Sequence, residues 1–263
     1  MKRFSILTLS LAAIASSVPR ADAALVGLWR FENDFTDSSD QSNDGSNVGG
    51  VNFVASQAGF GQAGSFGGGS HVSVAHHPSL DMTTDMTIAA WVNHSATAWE
   101  AVLAKSPSAG STANFPGNYE LRVENNTNGL NFGYERTDGT GNPSLVFSQS
   151  AATVPASTWT HVAVTVSSGG TITHYINGVG VAGATATAFG ETNTNPLYIG
   201  SRADNFTFMD GLLDDVAIFD EVLDAGQIAT ISSGDFGAFI IPEPSAAALF
   251  GLASLGLFMR RRR

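Results

Sequence analysis

The chain has 263 residues, no cysteine and a formal net charge of −11. The length suits one large all-β domain or two small ones, and the lack of cysteine excludes both a disulfide framework and a thiolate metal site. Between Ala24 and Pro244 there are five basic and 22 acidic residues, a net of −17; such a body repels nucleic acid and anionic lipid headgroups, so nucleic-acid binding is excluded and divalent cations or neutral polymers are the fitting partners.

The chain opens with Lys2 and Arg3, a mostly apolar stretch from Phe4 to Ala15, and the small-x-small triplet Ala21-Asp22-Ala23. This is the arrangement of a secretory signal peptide over residues 1–23, with the mature chain starting near Ala24. The body from 24 to 241 then reads as short β-rich runs between Gly, Asn, Ser and Pro clusters. "MTIAAWV", "NYELRVEN", "GLNFGYERT", "SLVFSQS" and "NPLYIGS" are such runs. In "TWTHVAVTV", Val162, Val164 and Val166 share one face while His161, Ala163 and Thr165 share the other. The following "TITHYINGVGVA" carries Asn177-Gly178, a type I′ hairpin signal. The one helical stretch is Asp224 to Ile231, with Asp224 as its N-cap. Together these predict about twelve strands in two antiparallel sheets packed face to face, an all-β sandwich.

Four pieces of the body, in order, carry a family likeness: "MTIAAWVN" (86–93), "TWTHVAVTVSSGGTITHYINGVGVA" (158–182), "PLYIGSR" (196–202) and "FMDGLLDDVAIFDEVLDAGQI" (208–228). They resemble the concanavalin A-like lectin/glucanase superfamily, and within it the LamG-type (laminin-G-like) jelly rolls. The opening "LVGLWRFENDFTDSSDQSNDG" is similar to that family's first strand and following loop. The resemblance implies a curved two-sheet jelly roll whose first and last strands lie side by side, and a structural Ca²⁺ between them. On that basis Asp214, in "LDDVAIF", is the expected ligand from the last strand, with Glu32 or Asp34 as partner from the first. Carboxylates with backbone carbonyls are what a hard cation takes. Asp215 is expected to face the other way if the strand is regular. The competing reading makes these acids solvated surface groups, with Asp37 and Asp40 holding turns.

Trp29, Trp91 and Trp159 lie in or beside apolar runs and are expected to pack in the core. Trp99 follows "NHSATA" in a loop and precedes Glu100; it is the candidate for stacking on a sugar ring, against a plain packing role. Glycosidases of this superfamily take both carboxylates from one strand in an E-x-D-x-(x)-E pattern, so that they line one cleft. That pattern is absent. "YELRVENN" sets Glu120 and Glu124 on one face but places Arg122 between them, where an acid is needed. "DDVAIFDEVLD" puts Asp214 and Asp220 on either side of Val216 and Ile218, which read as buried. No Gly-x-Ser-x-Gly elbow occurs. His76-His77 and His71 read as loop or surface residues, since neighbours on a strand point to opposite faces.

The chain ends with Pro242-Glu243-Pro244, fifteen uncharged residues from Ser245 to Met259, and Arg260 to Arg263. A fifteen-residue helix rises only ~22 Å against a hydrocarbon core of ~30 Å, so it holds the membrane transiently, with the arginines cytoplasmic. Residues 242–263 resemble the PEP-CTERM sorting signal of Gram-negative bacteria. That likeness implies an exosortase that reads Pro242-Glu243-Pro244, and a destination at the cell surface or in the extracellular matrix. The leading functional reading is a secreted, non-catalytic module that binds carbohydrate, in particular exopolysaccharide. A structural or adhesive matrix protein without a saccharide site is the alternative, and a cryptic glycan-active enzyme the third.

Overall fold

The computed structural model describes residues 24–96, 98–105, 118–137, 143–167, 170–185, 192–202 and 207–240. The expected signal peptide, residues 1–23, and the sorting tail, 242–263, lie outside the described residues. The strands in chain order are β1 Leu25–Trp29, β2 Gly45–Val48, β3 Asn52–Ala55, β4 Gln62–Phe66, β5 His71–Val74, β6 Met86–His94, β7 Glu100–Lys105 and β8 Tyr119–Val123. They continue as β9 Gly129–Thr137, β10 Pro143–Thr153, β11 Thr160–Val166, β12 Thr171–Ile176, β13 Val179–Thr185, β14 Leu197–Ile199 and β15 Gly211–Phe219, followed by helix α1, Ala225–Ser232. A 3₁₀ turn, Pro78–Leu80, precedes β6.

The strands form two antiparallel sheets. One has the order β13-β12-β11-β6-β15-β4-β3, with β1 also paired to β15; the other has the order β10-β9-β8-β7-β14-β5-β2. The first and last strands are neighbours, with Leu25 opposite Phe219 and Trp29 opposite Val216. Asn177 and Gly178 both have positive φ, 49° and 78°, as a type I′ turn between β12 and β13 requires. Asp224 caps α1 in a capping box: its side chain accepts from the Gln227 amide, and the Gln227 side chain accepts from the Asp224 amide. Fifteen strands among the described residues exceed the expected twelve. The extra ones are short, such as β2 "GSNV" and β3 "NFVA" at the sheet edges, and are exposed on most positions of both faces, so neither carries a buried face to impose hydrophobic alternation.

Between the sheets lies one large apolar core, with Ile88, Val162, Val164, Leu213 and Ile218 from one sheet and Val102, Leu121, Phe132 and Ile199 from the other. Trp29 is fully buried there and its indole N–H donates to the Asn43 carbonyl at 3.0 Å. Trp91 and Trp159 do not share that position. Trp91 is half-buried on the outer side of the larger sheet, edge-on to Phe60 and His161, and Trp159 is half-buried. Trp91 follows the core residue Ala90, and the period-2 pleat turns it outward.

A second apolar cluster covers the outer face of the larger sheet. Leu25, Leu28, Ala89, Ala163, Ala217 and Phe219 meet Leu223, Ile228 and Ile231 of the α1 segment and Phe236 and Phe239 beyond it. All seven residues of β11 are buried although its sequence alternates: on the outer face Ala163 lies in this cluster and His161 packs against Trp91. Phe219 and Phe239 meet edge-to-face with centroids 5.0 Å apart. Phe219→Ala should lower the unfolding free energy by about 3–5 kcal/mol. The double variant with Phe239→Ala should fall short of additivity by about 0.5–1.5 kcal/mol, the direct ring–ring contribution, as read from a urea-melt double-mutant cycle.

Candidate functional site

The outer face of the seven-stranded sheet is built by simple alternation. On β8, Tyr119, Leu121 and Val123 enter the core, so Glu120 and Arg122 project outward. On β9, Leu130, Phe132 and Tyr134 enter and Asn131 projects. The register then sets Arg122 beside Asn131 and Asn131 beside Gln149, while Glu120 pairs with Gly133 and Gly133 with Phe147. Phe147 keeps 40% of its surface exposed.

Arg122 is the centre of this face. Its guanidinium lies 4.1 Å from the ring centroid of Trp99 and 5.3 Å from that of Phe147. Its Nε donates to the Asn131 side-chain oxygen at 3.3 Å, and its Nη1 is 3.1 Å from Glu120 Oε1. The other oxygen of Glu120 is 3.0 Å from Arg202 Nε. Glu120 is therefore fully buried with both carboxylate oxygens committed to arginines. Beyond the strand, Glu124 accepts from Thr127 and from Gln149 Nε2. The Thr127 hydrogen bond, with those of Gln149 and Asn126 and the charge of Arg122, holds the Glu124 carboxyl below its ordinary range.

Trp99 is carried by the connection from β6 to β7, which is pinned at its base. Glu100, fully buried, accepts from Ser95 Oγ at 3.0 Å, and His94 Nδ1 lies 3.7 Å away, an ion-pair distance. His94 Nε2 bonds to the Val154 carbonyl at 2.8 Å, and the Ser95 amide donates to the Asp210 carbonyl. Burial opposes ionisation of both partners, but their mutual attraction and hydrogen bonds outweigh it, raising the His94 pKa and lowering that of Glu100.

Of the predicted acid ligands, Asp34 parts from the other two. Asp34 turns to Thr36, accepting from its amide and hydroxyl. Asp37 is saturated by the Leu28, Ser39 and Asn43 amides and the Ser39 hydroxyl, a turn-holding role. Asp40 accepts from Gln41. Asp214 and Glu32 do come near each other electrostatically. Asp215 is not turned away: a bulge, marked by its φ of 45° and a register shift after Asp214, breaks the alternation and brings it to the same side, where it pairs with Arg30 at 3.1 Å. Burial, reinforced by the charges of Asp215 and Glu32 and opposed by a 2.5 Å hydrogen bond from Ser56, pushes Asp214 up to about 7. Among the described residues no three His, Cys, Asp or Glu side chains converge as a metal-binding group. His76 lies near Lys105 and Asp81, His77 bonds Ser79, and His71 packs against Tyr198.

The profile of the concanavalin A-like lectin/glucanases superfamily, laminin-G type, matches residues 66–229. The chain belongs to this superfamily. A second profile, the PEP-CTERM protein-sorting motif, matches residues 241–263 and marks an exported protein sorted to the cell surface. No curated protein matches the chain. Among solved structures, domain 4 of the extracellular arabinanase AbnA from Geobacillus stearothermophilus, determined with arabinotriose, is similar at 19% identity and a TM-score of 0.58, over 80% of this chain and 98% of that one. The binding domain of Paraclostridial Mosquitocidal Protein 1 (15% identity, TM-score 0.61) and that of botulinum neurotoxin serotype C1 (12%, 0.56) each match over 79% of this chain. This chain spans about half the length of those toxin domains, 51% in each case.

On the outward side of β8, Glu120 and Arg122 pair with each other. The sequence singled out Trp99 as a candidate and set Glu120 and Glu124 on one face with Arg122 between them; β8 ends at Val123, so Glu124 lies beyond the strand. Phe147, Asn131 and Arg202, which the structure brings to the same face, were not singled out, although Phe147 is an aromatic residue at the outward phase of "SLVFSQS".

The His94–Glu100 pair yields a pH signature. A raised His94 pKa contributes stability that is complete below the unfolded value of 6.5 and is lost as pH rises through the folded value. A lowered Glu100 pKa contributes stability that is complete above 4.5 and is lost as pH falls through the folded value. The pair should therefore contribute most between those two values. His94→Gln should flatten the decline of the melting temperature on the alkaline side, as measured by melts from pH 4 to pH 9.

Proposed function

We propose that this domain is a non-catalytic carbohydrate-binding module whose saccharide platform is the Trp99–Arg122–Phe147 stack. The observation that carries the reading is the pairing of a half-buried indole and an exposed phenyl ring across one guanidinium, flanked by the amides of Asn131 and Gln149. Aromatic rings stack on the apolar faces of sugars, and amides bond hydroxyls; a few placed polar groups beside apolar area are how such sites gain orientation. The solved relatives support it, since one was determined with arabinotriose and others are named as binding domains. The commitment of both Glu120 oxygens to arginines supports a binding rather than a hydrolytic role, because a glycosidase acid or nucleophile must be available to the sugar.

Exopolysaccharide at the producing cell's own surface is the proposed ligand, in keeping with the sorting tail, and exosortase is the proposed partner at Pro242-Glu243-Pro244. In the exported precursor the tail holds the inner membrane, and processing there frees or re-anchors the body. Trp99→Ala and Arg122→Ala should each weaken binding roughly tenfold, the loss of about 1.4 kcal/mol. The check is a glycan array of bacterial and plant polysaccharides that includes arabinotriose, followed by titration of the best ligand. A wild-type protein that binds no glycan, or release of reducing ends from a bound one, would overturn the reading.

We also propose a structural Ca²⁺ held by Glu32 and Asp214, with backbone carbonyls completing its shell; Asp34 is taken up by Thr36. The residues fit a cation in one respect. Asp214 is buried near two other carboxylates, and Arg30 compensates only Asp215. A divalent ion would supply the missing positive charge. Thermal melts should rise in calcium over excess EGTA, by an amount equivalent to ~2.7 kcal/mol at a hundredfold excess over Kd. Asp214→Asn should abolish the difference.

A further inference from the structure

The first described residue, Ala24, is already held. Its backbone nitrogen donates to Asp220 Oδ1 at 3.1 Å, and the Asp220 amide donates back to the Ala24 carbonyl at 3.2 Å. This reciprocal contact extends the β1–β15 ladder one step past the Leu25–Phe219 pair. In the full chain that nitrogen is a neutral amide with one hydrogen. Asp220 is exposed, so its carboxylate gains little from a single neutral donor.

A cleft of about 310 Å³ opens beside Ala24, lined among others by Gln41, Asp81, Thr84, Asp85 and Asp220. None of its lining residues is cationic. Asp81 is partly compensated by Lys105 Nζ at 3.0 Å. The charged groups facing Ala24 are therefore Asp220 at the end of β15 and Asp81 and Asp85 ahead of β6.

We infer that the Ala23–Ala24 bond is the maturation cut, and that the α-ammonium it releases is received by Asp220 as a built-in acceptor at the closing seam of the fold. Hydrolysis adds water across that peptide bond, leaving a carboxylate on the departing Ala23 and an amine on Ala24 that takes up a proton. The new group carries a full charge and three N–H donors where the amide had one. Charge-assisted hydrogen bonds of this kind are shorter and stronger than neutral ones. Position matters: a cut one residue upstream moves the charge by about 3.5 Å and leaves the amide in its place, while a cut one residue downstream removes the donor. The inference rests on the small-x-small triplet at residues 21–23 and on the Ala24–Asp220 geometry. It is independent of the saccharide reading, so either can fail alone.

The test has two readouts. N-terminal sequencing of the protein exported by its own host should begin at Ala24; any other start overturns the assignment. The second uses the protein from Ala24 to Arg263, released from a cleavable fusion in detergent, with the α-amino group free or acetylated. The free form should melt about 1–3 °C higher at pH 6, the range expected for an exposed ion pair in a domain of this size. An amine held by a carboxylate has a raised pKa, so the gain is complete below the ordinary value of about 7.7–8.0 and is lost as pH rises through the folded value. Asp220→Asn, which keeps an acceptor but removes the charge, should abolish the difference between the two forms. Equal melting of free and acetylated protein, or a difference that survives Asp220→Asn, overturns the proposal.

Discussion

The last strand, β15, hydrogen-bonds to β6 along one edge and to β4 and then β1 along the other. Strands that are consecutive in the chain cannot complete this sheet: residues 25–29 must wait for residues 216–219. The closure is a long-range contact, and such contacts are slow to form because the loop-closure entropy is lost before the pairing compensates it. Much of the larger sheet's architecture hangs from this one strand. Its core face supplies Leu213, Val216 and Ile218, and its outer face supplies Ala217 and Phe219 as the floor for the α1 segment. Its bulge gathers Asp214 and Asp215, and its end sets Asp220 against Ala24.

The α1 segment gives the two outer faces of the sandwich different fates. Phe236 and Phe239 seal the larger sheet, and Arg30 fastens the segment by donating to the Gly234 carbonyl while pairing with Asp215. The outer face of the seven-stranded sheet instead gathers Glu120, Arg122, Trp99 and Phe147. There Glu120 is buried without being an apolar residue. That is tolerable only because two guanidiniums meet its two oxygens, since a buried unpaired charge costs several kcal/mol. One consequence is that Arg122 is held in place beside both Trp99 and Phe147.

The amino-acid sequence by itself determined the local elements. Alternation gave the strands around Val162, Val164 and Val166, Asn177-Gly178 gave the hairpin, and Asp224 gave the helix start, because each of these rests on interactions within a few residues. It also showed Arg122 between Glu120 and Glu124, where an acid pair would need a carboxylate, and marked Trp99 as a candidate. The C-terminal sorting motif was legible for the same reason, being read as a linear motif. Tertiary structure decided what depends on partners distant in the chain. Arg202 reaches Glu120 across 82 positions, and Gln149 reaches Asn131 through a register that no single strand encodes. The bulge at Asp215 overrode the two-residue period because a left-handed residue inserted there lets Val216 stay in the core while both aspartates turn outward. Trp91 and Trp159 left the core for a similar reason: whether an outward position is covered depends on what the rest of the chain lays over it.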